Sequence, residues 1–178
     1  MKKNVLIALL LLSAGVSAQK MITKTGKITF EASVPSFEEV KATNNGVTCV
    51  LNAATGEIAS LALVKGFRFK VALMEEHFNE NYVESDKFPK STFKGKIENF
   101  DASALTASAK DFTIKGQLEL HGKTKDITAN AKIRKTDAGI EIVTTFSANA
   151  SDFDIAIPSV VKSKVSNKVN VRSEFTVK

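Results

Sequence analysis

Apolar and polar residues alternate through most of this chain, the period-2 pattern of strands that bury one face. Lys27 to Val34 alternates cleanly and stops at Pro35; Ser36 to Val40 predicts a turn or a single helical turn. Asn44-Asn45-Gly46 signals a turn ahead of an apolar run from Val47 to Ala53, and Thr55-Gly56 turns the chain into Glu57 to Val64. Gly66 then interrupts the run and predicts a bulge or bend.

The stretch from Phe67 to Ile97 changes period twice. Phe67, Phe69, Val71 and Leu73 alternate with Arg68, Lys70, Ala72 and Met74, which predicts a strand. From Met74 to Val83 the spacing becomes helical: Met74, Phe78 and Tyr82 stand four apart and form one apolar stripe, with the acids on the other faces. Ser85 to Lys90 contains Pro89 and stops the helix. Alternation resumes at Thr92, with Phe93, Gly95 and Ile97 on one face. A short aromatic helix between two strands is suited to lie across the opening of a curved sheet.

Downstream, Phe112, Ile114, Gly116, Leu118 and Leu120 share a face. His121 to Lys125 is a tight turn, and Ile127, Ala129, Ala131 and Ile133 alternate on the way back. Asp137-Ala138-Gly139 turns into Ile140, Ile142, Thr144, Phe146 and Ala148. Ser151 to Ser166 is expected to be a long loop, and Val169 to Val177 the closing strand. About eight short strands joined by tight turns, with one or two short helices, predict an all-β antiparallel domain, either a sandwich or a closed barrel. The apolar faces mix bulky residues with small ones: Gly95, Gly116, Ala129, Ala131, Ala148 and Ser173. Small inward residues leave room for a guest, or they mark sharp curvature and close packing.

The first 18 residues follow another pattern. Lys2 and Lys3 precede an apolar core from Val5 to Leu12, and Val16-Ser17-Ala18 offers small residues for cleavage, so Met1–Ala18 is expected to be an export signal. The run is shorter than the roughly 20 residues a bilayer span requires, and Gln19 occupies the place where a lipoprotein needs cysteine. The mature chain, residues 19–178, is expected to be one periplasmic or secreted domain. Of the 25 basic residues two leave with the leader, so 23 face 19 acidic ones, a mild excess of four. These charges are dispersed along strands and form no nucleic-acid module. The single cysteine, Cys49, excludes an intramolecular disulfide and is expected to be a small buried hydrophobe.

Candidate chemistry is sparse. His77 and His121 are the only histidines; Glu75, Glu76 and Glu80 lie near His77, but no HxH or HExxH spacing supports a metal site. No G-x-S-x-G motif or glycine-rich phosphate loop is present. The chain is therefore expected to have no catalytic residues, no metal and no cofactor. Lys162, Lys164, Lys168 and Arg172 could serve a surface module that meets anionic head groups or an acidic partner.

Two segments carry a resemblance. EEHFNENYVESDKFPKSTFKGKI runs from an acidic-His helix through an aromatic-Pro loop into a Phe-bearing strand, and GQLELHGKTKDITANAKI is a strand, a His-Gly-x-Thr-Lys turn and a returning strand. With the order of the other elements, they make nearly all of the mature chain similar to the YceI-like family of exported bacterial proteins. GFRFKVALMEEHF, ahead of the helix, lacks the Ser/Thr-rich approach usual there. The resemblance implies a lipocalin-like antiparallel barrel with an apolar cavity that binds polyisoprenoid or other long amphiphilic lipids without catalysis. A long chain gains about 0.8 kcal/mol per buried methylene, so a dry tunnel needs polar groups only at one end. Phe67, Phe69, Phe93, Phe112, Leu118, Ile142 and Phe146 are the expected lining, with Phe78 and Tyr82 closing the cavity. Expected partners are a polyprenyl phosphate, an isoprenoid quinone or a fatty amide, with transient contact at a membrane surface; a homodimer would suit a barrel with an exposed mouth.

Overall fold

The computed structural model describes residues 20–178, so the expected export signal lies outside the described residues. The strands are β1 (Lys20–Ser33), β2 (Lys41–Asn52), β3 (Glu57–Leu63), a two-residue β4 (Arg68–Phe69), β5 (Lys90–Ile97), β6 (Lys110–Leu120), β7 (Lys123–Thr136), β8 (Gly139–Asn149) and β9 (Val165–Val177). Every pairing is antiparallel. Strands adjacent in the chain are adjacent in the sheet, and β9 returns to β1 and closes it, with β4 attached outside the ring. The result is a closed eight-stranded up-and-down barrel with one short helix, the barrel and not the sandwich. Closure satisfies both edges that a flat meander would leave open.

Because each strand reverses direction, the connections fall at two ends. The lower end holds the β2–β3, β5–β6 and β7–β8 connections and the outer ends of β1 and β9. The upper end holds the β1–β2 connection, the 64–89 excursion, the two-residue turn His121-Gly122 and the 150–164 segment. His121 and Gly122 adopt φ 52° and 71°, the left-handed conformation that a two-residue hairpin needs.

Strand boundaries depart from the pattern in two places. Asn44-Asn45-Gly46 does not end a strand; it is a bulge inside β2. Ala42 and Asn44 are buried above it and Val47, Cys49 and Leu51 below it, so one extra residue switches which parity faces inward. Asn44 Oδ1 accepts from Gly46 N at 2.9 Å, and its Nδ2 donates to the Leu63 carbonyl at 2.9 Å. A side chain with internal partners of that kind can be buried where a turn would expose it. A matching irregularity at Lys24–Thr25 lets β1 follow, so β1 begins at Lys20 and not at Lys27.

The expected strand from Phe67 to Met74 shrinks to β4, which pairs with Thr43 and Ala42 of β2. The edge of β4 is capped by a side chain: Glu75 accepts from Phe69 N at 3.1 Å and from Arg68 Nη1 at 2.7 Å. With no strand to join, the chain coils into helix α1 (Ala72–His77) and a π-type turn over Phe78–Tyr82. The segment expected to be loop, 151–166, contains two short 3-10 turns.

The lower half of the barrel is solid. Val47, Cys49, Leu51, Ile97, Ile114, Ile133, Ile142 and Val177 are almost wholly buried there, and Phe100, Ala102 and Leu105 of the β5–β6 connection pack beneath them.

Candidate functional site

The upper half is hollow. A cavity of about 390 Å³ runs down from the upper end, inside the range of small-molecule sites. Small residues on several strands make the space: Ala32, Ser60, Ala62, Ala129, Thr144, Ala148 and Ser173 all lie on its wall. Aromatic rings narrow it. Phe78, on the turn that follows α1, lies 5.3 Å from Phe30, 6.0 Å from Phe67 and 5.2 Å from Phe69, centroid to centroid. This four-ring cluster ties α1 to β1 and β4 and roofs one side of the opening. Met74, Phe78 and Tyr82, the helical stripe, all reach the wall.

Seven of the nine residues expected at the site stand on the cavity wall: Phe67, Phe69, Phe78, Tyr82, Phe93, Leu118 and Phe146. Phe112 and Ile142 do not. Phe112 lies too low on β6 and packs edge-on against Phe100 at 6.0 Å; Ile142 is fully buried in the lower core. Both face inward, but alternation fixes only the face of a strand and not the depth at which a barrel is filled.

The small inward residues divide between both of their uses. Gly95 and Gly116 are opposite each other on β5 and β6, and a Cβ at either would come within 2.8 Å of the Phe93 ring. Phe93 lies over that pair, so these glycines serve packing. Ala131 is buried below the cavity, beside Phe112. Ala129, Ala148 and Ser173 open onto it.

Several wall residues carry a signal that the alternation already held. Phe30 sits on the inward face of β1. Phe153, Ile155 and Ile157 alternate within the segment expected to be plain loop, and Phe153 is 1% exposed. Val64, Val83, Phe153 and Ile155 form a second small core that joins the 64–89 excursion to the 150–157 segment.

His121 fastens this joint from above. Its Nδ1 lies 2.9 Å from the Phe153 carbonyl and its Nε2 2.9 Å from Glu84 Oε2, while Phe88 stacks edge-on at 4.6 Å. Both polar partners are acceptors, so the ring makes both bonds together only when doubly protonated. Neither partner is near His121 in sequence, and from sequence alone it is a turn residue.

Polar side chains on the wall gather at the opening: Glu38 on the β1–β2 connection, His77 at the end of α1, Ser91 and Thr92 where β5 begins, Asn149 at the end of β8, and Lys164 and Ser166 where β9 begins. Deeper down the wall is apolar apart from the hydroxyls of Ser60, Thr144 and Ser173. His77 has no ligand set around it: among the described residues no three His, Cys, Asp or Glu side chains are placed to hold a metal ion.

A YceI-like domain model matches residues 15–177. The chain belongs to the YceI-like family. No curated protein matches it by sequence. Solved structures with the same fold include the following three. A polyisoprenoid-binding domain from Saccharophagus degradans superposes with a TM-score of 0.72 at 14% identity, over 89% of this chain and 97% of that one. Burkholderia cenocepacia BcnA gives 0.69 at 14% identity, over 84% and 94%. The Campylobacter jejuni YceI protein gives 0.65 at 18%, over 82% and 88%. Identities this low for the same architecture mean that the YceI-like barrel is held by pattern and closure more than by particular residues.

Proposed function

We propose that this protein is an exported, non-catalytic carrier that holds a long amphiphilic lipid, most simply a polyisoprenoid, in the upper cavity of its barrel. The observation that carries the reading is the cavity's polarity gradient: an apolar shaft of about 390 Å³, blind at its lower end, with its charged groups at the mouth. A shaft of this kind suits a molecule with one polar end and a long hydrocarbon body, and each buried methylene adds about 0.8 kcal/mol. Polyprenyl phosphates, isoprenoid quinones and fatty amides share that form. The Saccharophagus domain of the same fold is a polyisoprenoid-binding domain, which agrees with this choice of ligand. Catalysis has no support in the site, where the wall presents one histidine, one carboxylate and one lysine around the mouth.

Native mass spectrometry of the purified protein, followed by organic extraction, tests the reading. A released chain of isoprenoid mass, or uptake of added polyprenyl lipid, is the expected result. A clean apo mass that does not change on incubation with polyprenyl lipids would overturn it.

A further inference from the structure

Large hydrophobic side chains left in water cluster on this molecule. Five stand out among the described residues, and all but Ile22 lie at the upper end: Phe37, Leu63, Leu73 and Val160. Two of them flank the β1–β9 side of the mouth. Phe37, 47% exposed, is in the β1–β2 connection, and Val160, 81% exposed, is at the tip of the 150–164 segment. These two connections are neighbours because Ser33, the last residue of β1, pairs with Val165, the first of β9. Each also borders the cavity, through Glu38 and Val40 on one and Val161 and Lys164 on the other.

Charge on this side is asymmetric. No acidic residue occurs between Asp154 and Glu174, whereas Lys162, Lys164, Lys168 and Arg172 do. Arg172 is tied to Glu174 at 2.9 Å; the three lysines form no ion pair among the described residues. On the β1–β2 connection Glu39 is matched by Lys41 at 3.6 Å, which leaves Glu38. Among the described residues, the other upper-end acids without an ion pair include Asp152 at the base of the 150–164 segment, which accepts from Asn149 Nδ2 at 3.2 Å, Glu31 on β1, and Glu76 and Glu80 of the helical excursion, on the far side of β2 from β1.

We infer that this lip, Phe37 and Val160 with Lys162 and Lys164, docks onto the anionic surface of a lipid bilayer and sets the mouth of the cavity against it. A protein partner would need roughly 1,000 Å² of complementary surface, which two projecting side chains on short loops do not offer. A bilayer needs only shallow apolar insertion with lysines at head-group level. The inference rests on the carrier reading and deepens it, by naming the surface from which the cavity would be loaded.

Sedimentation of the purified protein with phosphatidylglycerol vesicles, and separately with phosphatidylcholine vesicles, tests it. Binding to phosphatidylglycerol at low salt is expected, at least tenfold weaker on phosphatidylcholine and weakened by added salt. The double variant Phe37→Ser/Val160→Ser, and separately Lys162→Glu, should each reduce vesicle binding tenfold or more. None of these residues is on the cavity wall, so uptake of a fluorescent polyisoprenoid dispersed in water should be unchanged in both variants. Vesicle binding that is absent in the wild type, or unaltered in both variants, overturns the docking lip. Loss of probe uptake by the wild type overturns the carrier reading instead, so the two failures are told apart.

Discussion

Single side chains decide where this barrel is full and where it is empty, and two of them make opposite predictions. Ala129, 4% exposed, lies on the cavity wall of β7. Ala129→Phe would place a ring in the shaft with little cost to the barrel, because the space already exists. Uptake of a polyisoprenoid probe should fall tenfold or more, while the melting temperature stays within a few degrees of wild type. Phe93→Ala does the reverse: it removes the ring that covers Gly95 and Gly116 and enlarges the hollow. Phe-to-Ala changes in cores cost about 3–5 kcal/mol, and a value near 3 is expected here from denaturant titration, since one side of the ring already faces open space. Cys49 gives a third test. Burial pushes its thiol up to about 12, from an ordinary value of 9.0. The folded thiol thus keeps its proton where the unfolded thiol loses it, so this group withdraws stability as pH rises through the unfolded value. In the native state at pH 8 it should not react with a thiol reagent, and it should react fully once the chain is unfolded.

Among the elements, the two that cover the cavity are the ones least integrated into the sheet. The helical excursion meets the ladder only through β4, and the 150–164 segment through none of its own residues. They are held by rings, by the small core around Phe153 and by His121. His121→Phe would keep the stack on Phe88 but remove both hydrogen bonds, and leave the Phe153 carbonyl without its imidazole partner. A loss of about 1–3 kcal/mol is expected from such a change. It should appear locally: hydrogen exchange of residues 78–85 and 150–155 should quicken while that of β6 to β8 is unaltered. Uniform quickening across the barrel would mean that the two covers are not a separate cooperative unit.

For the molecule as a whole, closure joins the two ends of the described residues. Ile22 N donates to the Lys178 carbonyl at 3.0 Å, and Lys178 N donates back to the Ile22 carbonyl at 3.3 Å. Pairing β1 with β9 spans almost the entire described sequence, so folding belongs with slow, high contact-order β proteins, in the range of milliseconds to seconds. The adjacent ends also predict that a circular permutant is viable. Joining Lys178 to Lys20 by a short glycine-serine linker and opening the chain at Asp137-Ala138 should preserve the barrel's far-ultraviolet circular dichroism and its uptake of a lipid probe. Opening within β1 should abolish both.

The alternation by itself determined the fold class, most strand positions, the helix with its Met74–Phe78–Tyr82 stripe, and the inward face of each strand, because a strand's period is local and burial of one face follows from it. The two family segments extended that to a YceI-like barrel. Choosing barrel over sandwich is visible in the structure only as the β1–β9 ladder, a pairing between distant segments that leaves no local trace. Depth was likewise invisible: Phe112 and Phe146 have the same inward signature, yet one packs on Phe100 and the other borders the cavity. The bulge at Asn44-Asn45-Gly46 has a turn's composition, and only the Leu63 carbonyl brought to Asn44 by β3 makes burial there affordable. His121 acquired its role the same way, from Glu84 and Phe153, which the closed barrel delivers to a turn whose own sequence asks only for left-handed backbone.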